Sequence, residues 1–179
     1  MKEFIYTNSF ECIKNIGTNF GYISSIVIKK SLWMIYANDK KFIGSAYPHV
    51  YIIFLILKNF NIKVKFIAQP YIGYRTGNDS FLSSFGRYKR VKFDIVGYND
   101  IVSYVFGEKS KELIEINRVT VRYHVFNHIL IAILAKTATV RYRLKVFVLC
   151  QKYYHRYIFF WIKVLPLLIT PYFILNTLI

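Results

Sequence analysis

His49 sits in Tyr47-Pro48-His49, at the front of a long apolar run. An imidazole changes charge near pH 6.5, so it can take a proton under ordinary conditions. If a helix starts at Pro48, the positive end of its dipole lowers that pKa and keeps the ring a neutral base. Further on, Tyr74-Arg75-Thr76-Gly77-Asn78-Asp79-Ser80 gathers a guanidinium, an amide, a carboxylate and hydroxyls in one stretch. Arg75 can hold a phosphate through two parallel hydrogen bonds. Gly77 permits positive φ, and Asn78, Asp79 and Ser80 can bind hydroxyls or cap a following helix. The competing readings are a hydrogen-bonded structural histidine and an ordinary polar turn that ends in a helix cap. His124 and His128 fall four apart, on one face of a predicted helix. Two histidines can share a metal, but a site needs three or four converging ligands and no HExxH pattern is present. No metal ligands are assigned. The chain also lacks an Asp-x-Asp pair, a GxxxxGK phosphate loop and a nucleophile elbow.

The elements that must position these residues divide into two regions. Residues 1–80 mix helical and strand-like runs and read as an α/β unit. Ile5 to Ile16 has helical spacing, and Phe20 to Ile28 reads as a strand. Lys29 to Tyr36 is a short helix and 38–41 a turn. Ser45 to Leu57 is a helix, with Ser45 as cap and Pro48 in its first turn. Lys63 to Ala68 and Tyr71 to Tyr74 are strand-like. Residues 81–179 carry helical patterns at Arg87 to Phe106, broken near Gly97, at Ser110 to Lys136, and at Thr139 to Tyr154. The tail from Tyr157 to Ile179 is apolar, about the ~20 residues that span a bilayer. Pro166 and Pro171 argue against one straight span, so a broken, interfacial or re-entrant pair of short helices stands as at least an equal alternative.

Three stretches carry a family resemblance. They are Gly21-Tyr22-Ile23-Ser24-Ser25-Ile26-Val27-Ile28, then Gly44-x-x-Tyr47-Pro48-His49, then Tyr74-Arg75-Thr76-Gly77-Asn78-Asp79-Ser80. Together with Tyr154-x-Arg156-Tyr157-Ile158-Phe159-Phe160-Trp161 and the Pro166–Pro171 segment, they resemble the second half of glycosyltransferase family 2. Within it they are most similar to the abequosyltransferase-like enzymes of surface-polysaccharide assembly. The resemblance implies a partial GT-A-like fold over 1–80, followed by the helical region 81–179. It also implies transfer of a sugar from a nucleotide-sugar donor, with Mg or Mn, to a lipid-linked glycan in O-antigen or capsule biosynthesis. His49 would be the catalytic base, since no Asp or Glu stands between Asp39 and Asp79. Tyr47, Arg75, Asn78, Asp79 and Ser80 would bind substrate. The family's nucleotide-binding half, with its acidic metal motif, has no counterpart here. The chain therefore reads as a truncated or split product whose partner is a separate N-terminal half, with no metal ligands of its own.

Composition bounds these readings. The chain has 179 residues, a formal charge of +16 and 55% hydrophobic residues. An AT-rich coding sequence also enriches Ile, Lys, Asn, Phe and Tyr, so raw Lys and Tyr counts carry no weight. Basic and apolar together disfavour a soluble nucleic-acid binder and favour an anionic membrane surface as partner. Arg141, Arg143, Lys145, Lys152, His155 and Arg156, interleaved with tyrosines, form a basic aromatic band beside the tail, the pattern of an interfacial anchor. The alternative is that these helices pack on the α/β unit. Cys12 and Cys150 match no disulfide or zinc pattern, and no secretory signal opens the chain. The expected location is the cytoplasmic face of the inner membrane. A non-enzymatic basic membrane-associated protein is the alternative function.

Overall fold

The computed structural model describes residues 3–69 and 80–171, with side chains from Ser84 onward in the second range. In chain order the regular elements are β1 (Phe4–Tyr6), α1 (Ser9–Ile16), α2 (Lys30–Tyr36), α3 (Pro48–Asn59), β2 (Val64–Phe66) and α4 (Ser80–Lys92). There follow α5 (Tyr98–Phe106), α6 (Lys111–Val119), α7 (Phe126–Leu134), α8 (Val140–Tyr154) and α9 (Leu165–Ile169). They fall into two compact units, Met1–Asn78 with Gly97–Ile116, and Asp79–Val96 with Asn117–Ile179.

The first unit is built around α3. This helix buries Val50, Tyr51, Ile52, Ile53, Phe54, Ile56 and Leu57, so it is apolar nearly all round, as a central helix must be. Pro48 fits its first turn because the missing N–H would have no helical partner there. The cap residue is Tyr47 rather than Ser45, whose hydroxyl accepts from the Tyr47 N–H at 3.3 Å. α5 packs along α3, and Phe54 meets Phe20 and Phe106 edge-on at 6.2 and 5.9 Å. Lys58 donates its ammonium to the Val105 carbonyl near the end of α5, a favoured place for a cation. Asn8 caps α1 by accepting from the Glu11 N–H at 3.1 Å.

The α/β GT-A-like expectation for residues 1–80 is corrected here. Among the described residues the chain is mostly helical, with one two-stranded antiparallel sheet that sets Phe4 opposite Phe66 and Tyr6 opposite Val64. The expected helix over Ile5 to Ile16 opens with β1, and its helical part begins at Ser9. The expected strand over Phe20 to Ile28 is instead two short 3₁₀ turns, Gly17–Gly21 and Ile23–Ser25. Local bonds explain this. Tyr22 N–H, Ser25 N–H and Ile26 N–H each donate three residues back, and the Ser25 hydroxyl also donates to the Tyr22 carbonyl. Backbone groups spent in such turns cannot build a ladder. The expected strand at 71–74 and the loop at 75–79 lie outside the described residues.

In the second unit, Gly86 bends α4 with φ 76° and ψ 166°, a conformation open chiefly to glycine. Wide π turns occupy Phe93–Gly97, Thr120–Val125 and Phe160–Val164. Gly97 is itself helical, so the expected break there is a change of winding rather than an end. α7 stops at Ala135, and Lys136 takes φ 56°. The N–H groups of Thr137 and Ala138 then both donate to the Ala132 carbonyl. Thr139 caps α8 by accepting from the Tyr142 N–H at 3.2 Å. The core gathers Ile95, Val125, Ile129, Val146, Tyr154 and Phe160. No helix among the described residues is long and apolar enough to cross a membrane.

Candidate functional site

Of the residues singled out in the sequence, Tyr47 and His49 come together with Gly21 in the first unit. Tyr47 is only 7% exposed and lies against Tyr98, with ring centroids 4.8 Å apart. It fits between two backbones that lack a Cβ: an added Cβ would meet it at 3.3 Å from Gly21 and 3.0 Å from Gly97. His49 occupies the first turn of α3, 6.3 Å from the Tyr47 ring. Burial pulls its pKa below 6.5, while the carbonyls of Gly21 and Phe20 favour the charged form. Its Nε2 is buried without a hydrogen-bond partner. Burial thus biases the ring toward its neutral form beside the edge of Tyr47. Arg75, Asn78 and Asp79 lie outside the described residues, and Ser80 begins α4.

The second unit holds a buried charge cluster. Asp94, 1% exposed, accepts from Arg90 one helical turn earlier and faces His128 Nε2 at 3.0 Å. His124 is held below 6.5 by burial first, against the pull of Asp94 and with help from His128 and Arg90. The pair His124/His128 thus belongs to a carboxylate-centred network, and among the described residues no group of three or more His, Cys, Asp or Glu can hold a metal ion. The sequence places Asp94 on a polar face; its only local signal is the Arg90 spacing of four.

The surface of the second unit is organised by α8, which turns about 100° per residue. One sector, with Tyr142, Val146, Leu149 and Cys150, is buried. A second carries Val140, Leu144 and Val148, spaced by four and 74%, 60% and 66% exposed. Directly beside it a third carries Arg141, Lys145 and Lys152, all exposed. Arg143 belongs to none of these. Its Nε donates to the Ala138 carbonyl at 3.1 Å and its Nη1 to the Thr170 carbonyl at 2.5 Å, so it ties the start of α8 to the end of α9. More apolar surface lies at Ile158, Trp161, Ile162 and Ile169. Between α8 and α9 runs a groove of about 910 Å³, walled by Leu144, Phe147, Trp161, Leu165, Leu168 and Ile169, with Lys136 and Arg143 as its charged members.

Over 84 residues, 47% of its length, the sequence is 33% identical to Abequosyltransferase RfbV of Salmonella typhimurium. The chain is similar to an abequosyltransferase. The matched stretch covers 25% of that protein, so the chain spans about a quarter of the curated relative it matches. No family model matches the chain, and no solved structure matches it.

This likeness does not establish membership of glycosyltransferase family 2. It reaches under half of the chain, and the described residues are helical where the family would have a GT-A sheet. The expected sugar transfer in polysaccharide, O-antigen or capsule biosynthesis is corrected on the same ground. So is the expected nucleotide-sugar donor with Mg or Mn. Neither a GT-A-like sheet nor a cation-binding cluster is present among the described residues.

Proposed function

We propose that the chain is a peripheral membrane-binding protein whose helical second unit docks on an anionic lipid surface, such as a cytoplasmic leaflet. The observation that carries this reading is the pairing on α8 of an exposed apolar stripe, Val140-Leu144-Val148, with an adjoining exposed basic stripe, Arg141-Lys145-Lys152. A soluble surface helix normally turns its apolar stripe inward. Here the inward sector is already filled by other residues, so the outer stripe is surplus to folding. Contiguous exposed apolar surface of this kind marks an interaction site.

Charge selects the partner. No Asp or Glu follows Glu115 in the chain. A protein partner with mixed charge would gain little from such a surface, whereas lipid phosphates complement it throughout. Each basic side chain near an anionic leaflet contributes about 1 kcal/mol, and each apolar one adds roughly 25 cal/mol per Å² withdrawn from water. The helix would lie in the interface rather than cross it.

Co-sedimentation with vesicles of graded phosphatidylglycerol content tests the reading. Binding should rise with anionic fraction and fall, without vanishing, as salt shortens the Debye length. If the intact chain stays in the supernatant at every composition, the reading fails.

A further inference from the structure

The groove between α8 and α9 adjoins this surface and shares Val140 and Leu144 with it. Its volume of about 910 Å³ is near the top of the roughly 300–1,000 Å³ range of clefts that hold small molecules. Its walls are aliphatic and aromatic. Trp161 stands on one side, its indole N–H donated to the His155 carbonyl at 2.7 Å and its ring packed edge-on with Phe160 at 5.1 Å. The charged members are both cations, and one of them is already committed: Arg143 spends its guanidinium on two backbone carbonyls.

The other cation occupies a costly position. Lys136 follows α7 with φ 56°, and it is the only non-glycine with positive φ among the described residues. Helices commonly end in a left-handed residue, and glycine is favoured there because it has no Cβ to clash. The helix dipole favours a cation at this end, but a lysine elsewhere in the last turn would supply that without the strain. At 136 the lysine is instead one of the residues that line an apolar groove.

We propose that this groove holds one hydrocarbon chain of an anionic phospholipid, with the headgroup phosphate received at Lys136. The inference rests on the membrane reading for the source of the lipid. It adds a discrete binding site for a single molecule to a surface that adsorbs to many.

The test uses the full chain with Trp33→Phe, which leaves Trp161 as the sole tryptophan. The probe is monomeric 1-oleoyl-lysophosphatidylglycerol, without vesicles, with lysophosphatidylcholine as its comparison. Trp161 emission should shift to the blue and saturate at one lipid per chain. The net-neutral lipid should bind about fivefold more weakly, the equivalent of roughly 1 kcal/mol for a lysine near an anionic phosphate. Lys136→Gly should weaken the anionic lipid by a similar factor while its thermal midpoint holds or rises, since glycine relieves the left-handed backbone. Leu144→Gln, in the groove wall, should weaken binding, and Val148→Gln, on the same exposed stripe but outside the wall, should not. Absent or non-saturating shifts overturn the proposal. So does equal binding of the two lipids with Lys136→Gly unchanged, or equal loss from Leu144→Gln and Val148→Gln. Vesicle binding without lysolipid binding removes the groove site and leaves the surface reading. Lysolipid binding without vesicle binding removes the surface reading alone.

Discussion

Tyr98 donates its hydroxyl hydrogen to the Thr18 carbonyl at 2.6 Å, and that same hydroxyl fills the space that a Cβ on Gly21 would need. A Cβ added there would lie 2.6 Å from the oxygen, too close for any real contact. Gly21→Ala should therefore displace Tyr98, break a buried hydrogen bond and destabilise the protein by about 1–3 kcal/mol. Thermal denaturation measures this. Tyr98→Phe gives up the bond but frees the space, so the double variant should be more stable than the sum of the two losses. Additive losses would mean that the two residues do not compete for one volume.

Asp94 is the buried centre of the Arg90–Asp94–His128 cluster. Asp94→Leu leaves the Arg90 guanidinium without its carboxylate in a poorly hydrated place. A loss of about 3–5 kcal/mol is expected, the usual effect of removing one partner of a buried pair. Equilibrium denaturation in urea reads it directly. A loss below about 1 kcal/mol, typical of a solvated surface pair, would contradict the burial described.

Folding stability should fall on mild acidification. His49 and His124 both have folded pKa values below 6.5, chiefly because burial disfavours the charged ring. Well above 6.5 both rings are neutral in either state, and their contribution is fully present. As pH falls below 6.5 the unfolded chain takes up protons that the folded chain resists, and stability is lost until the folded values are passed. The thermal midpoint should therefore drop between pH 7.5 and pH 5, and His49→Gln with His124→Gln should flatten that slope. Asp39 is held below its usual 3.8, first by the Tyr51 hydroxyl, so its own loss falls at more acidic pH and does not confuse this window. An unchanged slope in the double variant would show that neither ring resists protonation on folding.

Arg141 and Arg143 should behave oppositely. Arg141→Gln removes a surface charge and should weaken vesicle binding by about 1 kcal/mol with no change in the thermal midpoint. Arg143→Gln breaks two bonds to carbonyls and should lower the midpoint, by about 1–3 kcal/mol in stability. Measuring both properties on both variants checks the assignment. A thermal midpoint as high for Arg143→Gln as for Arg141→Gln would put Arg143 in solvent.

Those two arginines also mark how far the sequence could be read. They look equivalent in a basic run, yet two residues on a helix are about 200° of rotation, and only the packing of α9 tells which one faces the carbonyls. α3 was legible because Pro48 and an unbroken apolar run both mark a buried helix. β2 was legible from its alternating lysines. The Phe20–Ile28 stretch misled because β-branched residues suggest a strand, while Ser25 and its neighbours close turns on themselves. The π turns escaped because each one shifts the phase of the apolar pattern instead of ending it. Asp94 escaped because His128, 34 residues away, is visible as its partner only after folding. The groove has no linear signature at all, being a gap between helices.

The absence of any side-chain carboxylate after Glu115 also bears on how attachment could be reversed. A surface with interspersed acids can lose net positive charge as those acids ionise. This one has none beyond Glu115 to ionise. Carboxylate ionisation in this stretch therefore cannot loosen the grip on lipids. Release would have to be written covalently on the protein, by lysine acylation or by phosphorylation of the interleaved tyrosines, or come from a change in the lipids themselves.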